Sequence, residues 1–225
     1  MTENFSFDDI KQKFKNNKLF RIGSIIVGSL LLLVILFFAY RQFIWKPANE
    51  KSKDSYYVAL NHIVNKQNKK EVKEEKGKKI DPIKTLQSNV KKYDGKIGGE
   101  INKYLLATQY MRKGKYREAL VLLEDIDVDD TFMSAMVVGL QGDCYSEMKK
   151  YKKAIELYEE ASNINDNEFT SPMYLYKAGL NAEKVKKYKE AESYYNEIAF
   201  NYPYSYITQK NMEKFKARST NKKLN

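Results

Sequence analysis

Gly142-Asp-Cys-Tyr145, then Tyr151-Lys-Lys-Ala154, then Tyr158 and Ala161 form the stretch on which the reading of this sequence turns. Small residues suit the places where two helices cross closely, and aromatic rings fill the gaps beside them. Gly142, Ala154 and Ala161 are the small positions; Tyr145, Tyr151 and Tyr158 are the fillers. Their spacing predicts a helix–turn–helix hairpin. One hairpin leaves an apolar face uncovered, so neighbours are expected.

Two neighbours stand in register. Lys115-Tyr116-Arg-Glu-Ala119 lies 35 residues before Tyr151-Lys-Lys-Ala154, and Lys187-Tyr188-Lys-Glu-Ala191 lies 37 after it. The first carries Ala107, Tyr110, Leu123 and Ile126 at matching places; the third carries Gly179, Ala182, Tyr195 and Ile198, closed by Pro203. A Gly, a Tyr, a later Ala and an aromatic before a last Ala, repeated at about 34 residues, is the tetratricopeptide (TPR) pattern. The predicted packing residues are Ala119, Gly142, Tyr145, Ala154, Tyr158, Ala161, Gly179, Ala191 and Pro203. Three TPR repeats are expected over residues 100–203.

Composition agrees with an α-helical core. Of 225 residues, 43% are apolar, 18 are Tyr and only four are Pro, which leaves long stretches free of helix breakers. The net charge of +11 raises nucleic acid as a partner. The lysines, however, alternate with glutamates, as in Lys152, Lys153, Glu156, Glu159 and Glu160, which reads as a solvated helix face. No nucleic-acid partner is expected. Cys144 is the only cysteine, so no intrachain disulfide can form, and its place in a packed helix predicts a small buried filler.

The 19 residues from Ile22 to Tyr40 carry no charge. As a helix they cover about 28 Å, close to the hydrocarbon core of a bilayer. Phe20 marks one interface, and Tyr40, Phe43 and Trp45 the other. Arg41-Gln-Phe-Ile-Trp-Lys follows in place of a small-residue cleavage site, so residues 22–45 are read as an uncleaved transmembrane helix. Residues 1–21 form a basic tail in which Phe7, Ile10 and Phe14 share one helical face. Five Lys or Arg in residues 7–21 against four in residues 41–55 make a small positive-inside bias. The tail is placed in the cytoplasm and the rest across the membrane.

Residues 46–99 read as a degenerate opening hairpin. Tyr57, Leu60 and Val64 line one helix; Asp81-Pro82 starts another, carrying Ile83, Leu86, Val90 and Tyr93. The loop at 65–79 is charge-rich and lacks apolar anchors. Asp94-Gly95 and Gly98-Gly99 are expected to break the chain before the first repeat. Asp130 or Thr131 is expected to cap the next hairpin, and Thr170-Ser171-Pro172 the third. Residues 204–225 are read as a capping helix, from about Ser205 to Ala217, and a tail. The fold class is thus all-α: a single N-terminal transmembrane helix followed by a TPR-like α-solenoid.

No residues are assigned to catalysis, to a cofactor or to a metal. His62 is the only histidine, and with a single Cys it makes no zinc set. Gly95-Lys-Ile-Gly98-Gly99 has neither the spacing nor the Lys-Ser/Thr of a phosphate-binding loop. In TPR arrays the first helix of each hairpin lines a concave groove. That register projects Ile101, Tyr104, Thr108, Met111 and Arg112 from the first repeat. It projects Met136, Asp143, Ser146 and Glu147 from the second, and Met173, Tyr176, Leu180 and Glu183 from the third. Methionines and tyrosines there suit varied apolar partners. Tyr104 and Thr108 stand where a carboxylate clamp would place Lys and Asn. An equally open alternative is that the chain's own helices cover this face.

The layout resembles the YfgM-like proteins, single-span bacterial envelope proteins with a TPR-like periplasmic domain. The resemblance is carried by the span and by Lys113-Gly-Lys-Tyr-Arg-Glu-Ala119, Gly142-Asp-Cys-Tyr145, Ser171-Pro-Met-Tyr-Leu-Tyr-Lys-Ala178 and Tyr202-Pro203, closest to small TPR proteins of Bacteroidota. It implies an inner-membrane protein with a cytoplasmic N-terminus. It also implies an ancillary role at the SecYEG translocon, beside a PpiD-type membrane-anchored chaperone or the secretory clients themselves. The lysine-rich loop and the degenerate opening hairpin depart from the family pattern. Two other classes fit the same residues: an organellar import-type receptor with cytosolic TPRs, and an envelope scaffold for cell division or outer-membrane assembly. In each the chain is a scaffold or adaptor and not an enzyme.

Overall fold

Capping, glycine placement and turn geometry explain where each helix starts and stops. The structure, a computed structural model, describes residues 7–67 and 81–208. Every regular element among them is helical. They divide into two compact units, one up to Lys51 and one from Ser52 onward. That boundary falls inside the segment read from sequence as the opening hairpin.

The first unit contains α1 (Phe7–Asn16) and α2 (Lys18–Tyr40), a wide π-type turn at Arg41–Trp45, and the start of α3 (Lys46–Ser52). Asn17 begins α2, its Oδ1 accepting from the Phe20 amide at 3.1 Å. Ser24 and Ser29 turn their hydroxyls onto the carbonyls of Phe20 and Ile26, so neither leaves a polar group facing outward. The π-type turn lies just ahead of Pro47. A proline ring crowds the carbonyl four residues back, here Phe43, and a widened turn accommodates it. This is one helix near the N-terminus long and apolar enough to cross a membrane, and none of its apolar stretch is buried.

The second unit contains α4 (Tyr57–Gln67), α5 (Pro82–Lys92), α6 (Ile97–Arg112) and α7 (Tyr116–Glu124). It continues with α8 (Thr131–Glu147), α9 (Tyr151–Ile164), α10 (Ser171–Lys184) and α11 (Tyr188–Asn201). Each packs chiefly against its sequence neighbours. Asp81 caps α5 and Asp130 caps α8, each carboxylate accepting from backbone amides of the first turn. At α10 the side-chain cap is not Thr170. Asn167 Oδ1 accepts from the amides of Phe169 and Thr170, and Ser171 Oγ ties the segment back to the Ser162 carbonyl.

The three pairs α6–α7, α8–α9 and α10–α11 turn in the same way. Gly114, Lys149 and Lys186 adopt positive φ, at 72°, 61° and 61°. Behind them the amides of Lys115, Lys150 and Lys187 donate to the carbonyls of Tyr110, Tyr145 and Ala182. This left-handed closure satisfies the last helical carbonyls.

Tyrosine rings fill the crossings. A Cβ on Gly142 would sit 2.7 Å from the Tyr158 ring, and one on Gly179 would sit 2.5 Å from Tyr195. Ala119, Ala154, Ala161 and Ala191 are completely buried, and Tyr145 packs half-buried against two of the core clusters. Pro203 is exposed, in the turn after α11. It ends the helix and fills no crossing, a correction to its expected packing role.

Gly98 and Gly99 do not break the chain. They lie in the first turn of α6, where the Ser52 and Tyr93 backbones come so close that neither position has room for a Cβ. Beside them a fully buried Asn102 donates to Ser55 and Gly98 and accepts from Asn89. The opening helices α4 and α5 share a core with α6 through Ala59, Ile63, Leu86 and Leu106. Most of the charged loop at 65–79, and the capping helix beyond Thr208, lie outside the described residues. Of the latter, Ser205 is buried and accepts from the Thr208 amide, and Ile207 packs on the last hairpin.

Candidate partner-binding groove

Helix α8 is flanked by α6 on one side and α10 on the other. The α8–α10 approach is set by Gly139, which lacks the Cβ that the Tyr174 ring would strike. Beyond that crossing Asp143 becomes the polar centre of the face. Its Oδ1 accepts from Tyr158 Oη at 2.7 Å, and both its oxygens accept from Lys177 Nζ at 2.8 Å. The Lys177 ammonium lies 5.7 and 5.8 Å from the centres of the Tyr158 and Tyr174 rings. Ser146 Oγ donates to Asn181 one turn further on. Burial, followed by the Asp143 charge, pushes the phenols of Tyr104, Tyr158 and Tyr174 above their ordinary range, so all three remain hydrogen-bond donors.

Between α6 and α8 lies a cleft of about 400 Å³, lined by Met111, Arg112 and Tyr116 on one wall and Asp143, Ser146, Glu147 and Tyr158 on the other. Tyr116 Oη bridges to Glu147 across its rim. Met111, Arg112, Asp143, Ser146 and Glu147 come together here, as the helix register projects. Ile101, Tyr104 and Thr108 are half-buried along α6, with Thr108 Oγ1 donating to the Leu105 carbonyl. Met136 is half-buried on the stripe of α8 that continues to Leu140, Asp143 and Glu147.

The residues projected from the third hairpin lie outside this cleft. Met173 and Tyr176 are half-buried against the core that α8–α11 share, Tyr176 with its ring centre 6.3 Å from Tyr195. Leu180 is half-buried, and Glu183 is buried under Tyr195 Oη, from which it accepts at 3.1 Å. None of these four reaches the α6–α8 cleft. The residues of α10 that meet α8 are Tyr174, Lys177 and Asn181. Sequence reasoning passed over them, although Gly139, one turn before Gly142, was the available sign of a second close crossing.

Cys144 is completely buried in the core that α8 shares with α6 and α7, beside Ala107, Ala119 and Leu123, and burial followed by Asp143 and Glu147 pushes its thiol up to about 12. It is therefore a protonated filler and not a nucleophile at neutral pH. Among the described residues no three His, Cys, Asp or Glu converge as metal ligands. What the cleft offers is adaptable thioether and phenol surface around fixed hydrogen-bonding groups. No family model matches the chain, and no curated protein matches it.

Proposed function

We propose that this chain is a membrane-anchored, non-enzymatic scaffold of TPR-like hairpins that holds a protein segment in the groove along α6 and α8. The observation that carries the reading is the α6–α8 cleft, which pairs the flexible Met111 with Asp143, Ser146 and Tyr158. The three turns with matching left-handed residues, and the tyrosine rings seated on Gly142 and Gly179, support TPR-like repeats. The apolar helix supports anchoring by a single span. In this reading the anchor sits in a bacterial inner membrane, with the N-terminal tail cytoplasmic and the hairpins on the extracytoplasmic side. The resemblance to YfgM-like proteins supports a post beside the SecYEG translocon, engaging a PpiD-type chaperone or secretory clients.

A photo-crosslinking residue at position 111, with recovery of adducts in mild detergent, tests the groove. Adducts to translocon subunits, a membrane-anchored chaperone or secretory chains are expected. The double variant Met111→Ala, Met136→Ala should weaken partner recovery, at about 1–2 kcal/mol for each truncated anchor, and by more than it lowers thermal stability, since both side chains are only half-buried. A clear fall in melting temperature with partner recovery intact would make this face structural.

A further inference from the structure

The second unit is electrically polarised along its helices, and we infer that the row formed by its three hairpin turns docks an acidic, extended polypeptide segment. Residues 112–117, 149–153 and 184–189 each carry four Lys or Arg and no carboxylate. The connectors at the other ends of the same helices are reversed: residues 124–130 hold five carboxylates and residues 166–168 hold two, with no Lys or Arg in either. Antiparallel packing gathers the like ends together. Tyr116 Oη reaches Glu147 and ties the first turn to the second, and Ser146 Oγ reaches Asn181 and ties the second to the third. At the opposite end Tyr202 Oη donates to Asp166. Three separate basic turns thus become one continuous edge.

Local pairs do not cancel it. Lys115–Glu118, Lys153–Glu156 and Lys187–Glu190 take one cation from each turn, all partly exposed, and such pairs hold their charges only loosely. Lys113, Lys149, Lys152, Lys186 and Lys189 are exposed. The chemistry of the edge selects the class of partner. Ten of its twelve cations are Lys, point charges on flexible stems without the planar fork that reads phosphates in pairs. The tyrosines at the turns, Tyr116, Tyr151 and Tyr188, are half-buried against their hairpins and do not present stacking platforms for bases. The chain enters this unit at the connector end, where Ser52 packs on Gly98, so the row lies at the end away from that entry. A string of carboxylates laid across three turns matches the charge of the edge.

The test uses the full chain in zwitterionic lipid nanodiscs and a fluorescein-labelled 20-residue oligo-glutamate peptide, read by anisotropy. Binding at low salt that weakens steeply as salt is raised is expected. The double variant Lys149→Glu, Lys186→Glu should bind about tenfold more weakly or worse, and Lys149→Gln, Lys186→Gln should fall between. Lys91→Glu, Lys92→Glu carries the same change in net charge on α5 and should bind as the parent does. Circular dichroism melts confirm that each variant is folded. Three outcomes overturn the inference: no peptide binding at low salt, equal weakening by the α5 double variant, or tighter capture of oligothymidylate or of anionic lipid vesicles than of the peptide. The edge borders the α6–α8 cleft at Arg112 and Tyr116, but Met111 and Met136 carry no charge, so Met111→Ala, Met136→Ala should leave the salt-dependent peptide binding unchanged.

Discussion

Lys103 shows what a buried charge requires. It is 4% exposed on α6, yet its ammonium reaches Glu100 at 3.1 Å and both the carboxylate and the carbonyl of Asp125. Glu100, also buried, accepts in addition from the Asp127 amide. Burial alone would lower the Lys103 pKa, but hydrogen bonds to Asp125 and Glu100 outweigh it and hold the group above its ordinary value. The pair thus clamps the start of α6 to the α7–α8 connector. Removing one partner leaves an uncompensated charge, so Lys103→Met should cost about 3–5 kcal/mol in a urea melt. Lys103→Met combined with Glu100→Leu should recover much of that loss. If the single and double variants melt alike, the clamp is not a coupled pair.

At the scale of the element, the three hairpin turns differ in the residue that carries positive φ. The first uses Gly114, which adopts it freely; the others strain Lys149 and Lys186 into it. Lys149→Gly should therefore stabilise the protein by about 0.5–1 kcal/mol, seen as a higher melting temperature. Gly114→Lys should lower it by a similar amount, although a Cβ there meets nothing within 4 Å. A loss of stability in Lys149→Gly would mean that the lysine stem contributes more than the backbone strain removes.

For the whole molecule, two measurements bear on topology and fold. Protease added to spheroplasts should digest the hairpins and spare residues 1–21; survival of the hairpins until the inner membrane is lysed would reverse the proposed topology. The second concerns pH. Burial raises the Cys144 thiol from 9.0 to about 12, and raises the Tyr202 phenol from 10.0 to about 12, where Asp166 adds to the shift. Groups with raised folded values stabilise fully below their unfolded values, and that stability is lost as pH rises through the folded ones. Denaturant stability should stay level through neutral pH and decline between about pH 9 and 12. Cys144→Ala should flatten the first part of that decline.

The helices, their hairpin pairing and the apolar N-terminal helix were legible in the sequence, because each rests on local rules. Asp81-Pro82 and Asp130 cap by their own side chains, and the Gly142–Tyr158 crossing has the same sequence spacing as Gly179–Tyr195. What lay beyond sequence depends on partners brought from a distance. Gly98 and Gly99 look like helix breakers until the backbones of Ser52 and Tyr93 are seen to need the space. Lys103 looks solvated until Asp125 closes over it, 22 residues away. The cleft gathers Met111 from α6 and Asp143 from α8, and the residues projected from α10 lie outside it. On α10, Tyr195 holds Glu183 buried with Tyr176 half-buried beside its ring, while Gly139 admits Tyr174 and brings Lys177 to Asp143. Helical period determines which residues share a stripe; only the packed neighbours decide which stripe is covered, because burial belongs to the pair of surfaces and not to either helix alone.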